Sequence, residues 1–152
     1  MRVNYLTALL VMTVSLSSGA QDKKITREQL PKAVAATVDR ETQGATVKGF
    51  VTERENGKKV YEAETVIRGH TRDLEIAADG TLNEVEEEVA MKDLPASVQA
   101  AILAKAKGAS VVKVESLIKK GKLVAYEAST IRNGHKGEVQ VGPTGRRLAH
   151  EE

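Results

Sequence analysis

Two histidines in similar local positions are the clearest candidates for metal chemistry in this 152-residue chain. His70 and His135 each follow the glycine of a predicted tight turn. Imidazole is a common metal ligand, so two such residues brought together with carboxylates such as Glu62 or Glu138 could hold an ion. A polar side chain at an exposed turn is the simpler interpretation. Metal binding is therefore the weaker hypothesis, and no cofactor is predicted.

The residue types that carry covalent or acid–base catalysis have no recognisable arrangement. The chain contains no cysteine, which excludes thiol nucleophiles and thiolate zinc sites. Its serines and histidines are not spaced as in nucleophile-elbow motifs, and its glycines form no phosphate-binding pattern. The many carboxylates fall on predicted solvated strands, where no burial or cleft would separate the titration of a catalytic pair. We therefore predict that the protein is not an enzyme.

The composition excludes several classes of partner. Aromatic residues make up 3% of the chain and tryptophan is absent, which is too few for a platform that stacks single-stranded nucleic acid. The formal net charge of +2 gives no overall attraction to nucleic acid or to an anionic membrane. Otherwise the 41% hydrophobic and 29% charged residues are typical of a globular protein.

The first twenty residues have the pattern of a secretory signal peptide. Arg2 supplies a positive charge, residues 6–16 are mostly apolar, and Ser18-Gly19-Ala20 provides the small residues that precede a cleavage site. The apolar run is shorter than the roughly 20 residues that a membrane-spanning helix needs. We therefore predict cleavage near Ala20 and a mature chain without a membrane span, located in the periplasm or outside the cell.

The rest of the chain repeats itself with one inserted residue. The matching segments, at an offset of 64 and then 65 residues, are Leu30-Pro31 with Leu94-Pro95, Gly57-Lys58 with Gly121-Lys122, Tyr61-Glu62-Ala63 with Tyr126-Glu127-Ala128, and Gly69-His70 with Gly134-His135. So many ordered matches indicate an internal duplication. We predict a first repeat over residues 21–90 and a second over residues 91–152.

Each repeat is predicted to contain one helix and four antiparallel strands. Helical spacing runs from Pro31 to Gly44 and from Pro95 to Gly108. Alternating apolar residues then predict strands at 47–53, 59–67, 71–78, 82–89, 111–118, 123–132, 136–141 and 147–151. The predicted fold class is α+β, built as a tandem duplication of an (αββββ) unit.

Shorter signals predict the caps and turns of these elements. Thr26 and Gln29 have capping-box spacing before the first helix, and Asp93 is the predicted N-cap of the second. Tight hairpin turns are predicted at Asn56-Gly57, Asp79-Gly80 and Asn133-Gly134.

Strand alternation also predicts which face each sheet buries. Tyr61 alternates with Glu62 and Glu64, so these side chains point to opposite faces. A short helix covers only one face, and we place the faces of Tyr61 and Tyr126 under the helices. The glutamate faces are then expected in solvent.

The repeated motifs resemble the PepSY-like family. The resemblance rests on Leu94-Pro95-Ala96-Ser97-Val98, Gly121-Lys122 and Tyr126-Glu127-Ala128 in the second repeat, and on Tyr61-Glu62-Ala63-Glu64 and Ala78-Asp79-Gly80 in the first. Members are exported or membrane-associated modules with proposed inhibitory or regulatory binding roles. The resemblance therefore implies a binding module whose partner is a protein or peptide, such as a peptidase or another envelope enzyme.

The tandem arrangement is also similar to that of the β-lactamase inhibitory protein, in which two such units form a concave sheet that grips an enzyme. This chain differs from that inhibitor because it has no cysteine and because its predicted open face carries charges in place of aromatic anchors. A β-lactamase is therefore not the partner that the sequence favours.

Charge is distributed unevenly between the repeats. Residues 26–90 contain 9 Lys/Arg and 14 Asp/Glu, whereas residues 91–152 contain 11 Lys/Arg and 6 Asp/Glu. The acidic residues concentrate on predicted strands and at residues 84–88. The predicted partner-binding residues are Glu62, Glu64, Asp73, Glu75, Lys119, Lys120, Lys122, Arg146 and Arg147.

Three interpretations of this asymmetry stay open beside that of an accidentally polarised surface. The opposite charges attract the two repeats to each other, join copies head to tail in salt-sensitive self-association, or steer a charged partner. A separate functional alternative is a small-ligand or metal sensor that uses a cleft between the repeats.

Overall fold

The computed structural model describes residues 23–55 and 57–152. They form one antiparallel sheet of eight strands in sequence order, with two α-helices. The strands are β1 (Lys23–Ile25), β2 (Thr46–Glu55), β3 (Lys58–Ile67), β4 (His70–Ala77), β5 (Leu82–Glu88), β6 (Ser110–Lys119), β7 (Lys122–Arg132) and β8 (His135–Val141). Helix α1 (Lys32–Glu41) lies between β1 and β2, and α2 (Ala96–Ala106) lies between β5 and β6.

The predicted α+β fold of two (αββββ) units is wrong. The described residues form a mostly β structure in which β5 pairs directly with β6, so that a single sheet runs through both repeats. The second repeat contributes three strands because residues 147–151 form none, and β1 adds an edge strand that the sequence did not suggest. Pairing across the repeat boundary satisfies two strand edges that separate sheets would have left exposed.

Proline starts both α-helices, but the predicted caps belong to shorter elements. Pro31 and Pro95 are the N-cap residues of α1 and α2. The Gln29 side chain accepts a hydrogen bond from the Thr26 backbone N–H at 2.8 Å, and this contact closes a 3-10 turn at Arg27–Gln29 ahead of α1. Asp93 likewise ends a 3-10 turn, so its prediction as an N-cap is wrong.

The Asn133-Gly134 hairpin turn follows the predicted chemistry, whereas at Asp79-Gly80 only Gly80 has the positive φ that both central residues of a type I′ turn require. Asn133 and Gly134 have φ values of 50° and 79°, as the two central residues of a type I′ turn require. At the β4–β5 turn, Asp79 Oδ1 accepts the Thr81 N–H at 2.9 Å, and this bond lowers the pKa of Asp79. Of the predicted Asn56-Gly57 turn, Asn56 lies outside the described residues, as does the predicted signal peptide.

Both helices pack on the same face of the sheet. Tyr61 and Tyr126 lie on this face, which confirms the prediction that the tyrosine faces are under the helices. Two apolar clusters lie between the helices and the sheet. The first is formed by α1 and β2–β5 and includes Val34, Tyr61 and Ile76. The second is formed by α2 and β6–β8, includes Ile102, and packs against Tyr126. The opposite face is called the open face below. Within the described residues, no helix is long and apolar enough to cross a membrane.

Candidate functional site

The open face carries a shallow cleft lined entirely by acidic residues. Its volume is about 100 Å³. Four neighbouring strands, β2 to β5, supply its lining, which we call the acidic cleft: Glu53, Glu62, Asp73, Glu75, Glu84 and Glu86. These residues come together because each strand alternates apolar residues toward the helices with carboxylates on the other face.

The ladder register places like charges directly opposite one another. Glu62 pairs with Glu75, and Glu75 pairs in turn with Glu84 on the next strand. Asp73 pairs with Glu86 one row further along the sheet. Like charges in directly opposed positions repel one another, and the Asn83 amide that donates to Glu75 and the Lys119 Nζ beside Glu84 offset part of this repulsion.

Burial perturbs the titration of the central carboxylates. The pKa of Glu86 is raised to about 8, first by burial and then by the charges of Glu115, Glu84, Glu127 and Glu62. Burial also raises the pKa of Asp73, although its Oδ1 accepts the Thr65 N–H at 3.0 Å. The prediction that the glutamate faces are simply solvated is therefore wrong for Glu86.

Two lysines of β6 share the open face with these carboxylates. The Nζ of Lys119 lies 3.5 Å from Glu84 Oε2 at the edge of the acidic cleft. The Nζ of Lys113 lies 2.5 Å from Oε1 of the buried Glu115. Burial is the largest single effect on Lys113 and lowers its pKa, but the bond to Glu115 together with the negative charges of Glu115, Asp73 and Glu88 outweighs it and leaves the pKa raised.

The C-terminal residue reaches the second half of the open face. The Glu152 N–H donates to Gln140 Oε1 at 2.8 Å, and Glu152 Oε2 lies 3.9 Å from Lys119 Nζ. Gln140 Nε2 donates in turn to Glu127 Oε2 at 2.6 Å. This end of the chain therefore crosses toward the open face instead of adding the strand predicted at residues 147–151.

A turn and a helix explain why no ninth strand forms. The Gly142 N–H donates to the Arg146 carbonyl at 2.8 Å and so closes a turn after β8. That turn packs against α2, since a Cβ added at Gly145 would lie 2.4 Å from the Ser97 carbonyl oxygen. Lys105 of α2 also donates to the Gln140 carbonyl oxygen at 2.7 Å.

The structure gathers the predicted acidic residues and disperses the basic ones. Glu62, Asp73 and Glu75 line the acidic cleft, whereas Glu64 lies further along β3 opposite Gly49. Lys119 borders the cleft. The other basic candidates are exposed near the β6–β7 hairpin or after β8: Lys120, Lys122, Arg146 and Arg147.

Sequence reasoning missed three of the six cleft residues as site residues. Glu84 and Glu86 alternate with Val85 on β5, and the predicted turn at Asp79-Gly80 already placed that strand beside β4. Following the alternation through the turn would have assigned both glutamates to the face of Asp73. Glu53 carried no comparable signal, because its side depends on the pairing of β2 with β3.

The two histidine candidates lie far apart. His70 begins β4 and His135 begins β8, with three strands between them, so roughly 19 Å separates the two strands. Both side chains are exposed. Throughout residues 23–55 and 57–152, no group of three or more metal-ligating side chains is placed to hold an ion.

Comparison with solved structures shows that the fold is BLIP-like. The chain superimposes on a BLIP-like protein from Bacteroides fragilis with a TM-score of 0.58 and 19% identity, covering 81% of this chain and 85% of that one. A DUF2874 family protein from Bacteroides ovatus gives a TM-score of 0.61 and 16% identity over 79% and 85% of the two chains.

A third structure has a name that bears on location. It is a protein from Bacteroides eggerthii whose name assigns it provisionally to the periplasm. The chain superimposes on it with a TM-score of 0.63 and 16% identity, over 77% of this chain and 84% of that one. No family model matches the chain, and no curated protein matches it. The predicted arrangement like that of the β-lactamase inhibitory protein is thus supported as a fold, while the PepSY-like assignment stays a prediction.

Proposed function

We propose that this protein is an exported binding module that holds a protein or peptide partner against the open face of its sheet. One observation carries the proposal: the acidic cleft spans four strands on the face opposite both helices. The signal-peptide pattern at residues 1–20 and the provisional periplasmic name of a structural neighbour support export. The BLIP-like fold supports binding of proteins in general.

The partner that this face fits presents lysine or arginine side chains. Glu62, Glu75 and Glu84 form a row of directly opposed carboxylates, and a cationic group placed over it would offset their repulsion. Arginine suits such a row because its planar guanidinium bonds two carboxylate oxygens at once. A charged cleft also accelerates the encounter with a partner of opposite charge, and salt weakens this effect.

The role of the module in this proposal is to regulate by binding and not to catalyse. The resemblance to PepSY-like modules favours a peptidase or another envelope enzyme as the partner. The acidic cleft differs from the aromatic surface that the β-lactamase inhibitory protein uses, so a partner with a basic surface fits better than a β-lactamase.

A small-ligand sensor fits the acidic cleft less well. Its volume of about 100 Å³ is well below the roughly 300–1,000 Å³ of typical ligand pockets. Its lining is acidic, whereas such pockets are lined mostly by apolar side chains. A metal sensor built on His70 and His135 would need both residues at one site, and β4 and β8 hold them apart.

The test compares capture of envelope proteins by residues 21–152 and by two variants with equal loss of charge. In the cleft variant, E62Q/E75Q removes two opposed carboxylates. In the control, E28Q/D39N removes two exposed carboxylates outside the sheet. We expect one protein to be retained by the natural sequence and the control but not by the cleft variant. Calorimetry with that purified protein should then show binding that weakens with added salt.

Two results would contradict the proposal. Equal capture by all three chains would show that the acidic cleft takes no part in binding. Specific turnover of a substrate by the purified chain, retained in the cleft variant, would assign the protein to the enzymes.

A further inference from the structure

Strand β8 (His135–Val141) is the last strand of the sheet, and its first half is exposed. Among the described strands it pairs only with β7. Residues His135, Lys136, Gly137 and Glu138 are all exposed. An exposed edge of this kind presents backbone N–H and C=O groups that can pair with another strand.

Two hydrogen bonds identify the backbone groups that point away from the sheet. Lys105 Nζ of α2 donates to the Gln140 carbonyl oxygen at 2.7 Å. Thr130, the partner of Gly137 on β7, donates its hydroxyl to the Gly137 carbonyl at 3.0 Å, so that carbonyl points inward. In an antiparallel strand, the backbone N–H and C=O groups of successive residues point alternately toward and away from a given neighbouring strand. The outward groups are therefore those of Lys136 and Glu138, together with the Gln140 carbonyl that Lys105 already occupies.

We propose that two copies of this chain associate by antiparallel pairing of their β8 strands about a two-fold axis at Gly137. In this register the outward groups of Lys136 in one copy bond to those of Glu138 in the other, and the reverse pair is identical by symmetry. Gly137 then faces its own copy as a non-hydrogen-bonded pair, where strands approach to about 4.5 Å between Cα atoms and a glycine leaves room.

Charge complementarity selects both the occupant and the register. Lys136 and Glu138 lie on the same face of β8, so antiparallel pairing at Gly137 gives two ion pairs of opposite sign. A two-fold axis at residue 136 or at residue 138 would also let outward backbone groups of the two copies bond to each other. These two registers place Lys136 opposite Lys136 and Glu138 opposite Glu138, respectively. Those registers are penalised by like-charge repulsion, so the Lys-Gly-Glu sequence is self-complementary in one alignment only.

The geometry also limits the size of the assembly. Pairing ends near Val139, because Lys105 occupies the next outward carbonyl. The interface is isologous and uses the same strand from each copy, so it closes at the dimer and does not extend into a filament. The result is a continuous sheet with both open faces on one side. This inference does not depend on the identity of any other partner.

Sedimentation equilibrium of residues 21–152 over a wide concentration range tests the proposal. We expect a reversible dimer that K136E and E138K each weaken about tenfold or more, because each change turns two ion pairs into two like-charge pairs. The double variant K136E/E138K restores opposite charges and should dimerise again. Mixing the two single variants should yield a heterodimer, since one then carries only acidic and the other only basic residues at the paired positions.

The control is K92E, which makes the same charge change at an exposed lysine outside the sheet. Circular dichroism of each variant confirms that the fold is retained. A natural sequence that stays monomeric at every concentration would overturn the proposal. So would a failure of the mixed variants to associate. Loss of the dimer in K120E/K122E but not in K136E would instead indicate head-to-tail contact between the basic hairpin and the acidic cleft.

Discussion

Glu86 lies directly opposite Asp73 across the β4–β5 ladder, so two carboxylates that line the acidic cleft form a cross-strand pair. Burial raises the pKa of both groups. The negative charges of neighbouring glutamates, first Glu115 and then Glu84, raise the pKa of Glu86 further. The folded chain therefore retains a proton near neutral pH that the unfolded chain would release.

The free energy of unfolding should fall as pH rises from about 5 to about 9. The pKa of Glu86 rises from 4.5 to about 8 on folding, so the folded state binds more protons than the unfolded state across this window. Stability is then greatest at the acidic end of the window and is lost toward its alkaline end. We expect a loss on the order of 1–3 kcal/mol, measured by urea unfolding at several pH values.

The variant E86Q should flatten this pH profile. A neutral amide removes the buried charge, so E86Q is expected to be more stable than the natural sequence at about pH 9 and similar to it at about pH 5. D93N removes one exposed carboxylate outside the sheet and serves as the control. If the free energy of unfolding of E86Q still falls with pH as steeply as that of the natural sequence, another group is responsible for the pH dependence.

Gly145 should tolerate alanine much less well than Gly134. Both residues have positive φ values, 81° and 79°, so alanine is strained at either position. Only at Gly145 would the added Cβ lie 2.4 Å from the Ser97 carbonyl oxygen, while nothing lies within 4 Å of it at Gly134. We expect a cost on the order of 3 kcal/mol for G145A and about 1 kcal/mol for G134A, measured by urea unfolding. Similar costs would show that the turn moves freely away from α2.

The sequence predicts local elements well here because their signals are local. Seven of the eight strands overlap the predicted segments, and Tyr61 and Tyr126 face the helices as strand alternation requires. Proline and glycine punctuation placed both helices correctly. The signals for these strands, helix ends and buried faces each come from residues that lie close together in the sequence.

The features that the sequence did not predict depend on contacts between distant segments. The pairing of β5 with β6 joins the repeats into one sheet, and no local pattern of Val85 or Ile118 specifies that register. The same pairing places three strands between β4 and β8, which separates His70 from His135. The burial of Glu86 likewise arises only when β4 and β6 pair with β5 on its two sides.

Conservative truncation of either apolar cluster should lower a single shared unfolding transition. Ile76 lies in the cluster under α1 and Ile102 in the cluster under α2, and both are fully buried. Because the β5–β6 ladder continues the sheet from one cluster to the other, loss of packing in either one is expected to destabilise both. I76V and I102V should each cost about 1 kcal/mol, and calorimetry should show one transition for each variant. Two separate transitions, each shifted by only one of the variants, would show instead that residues 21–90 and 91–152 unfold as independent domains.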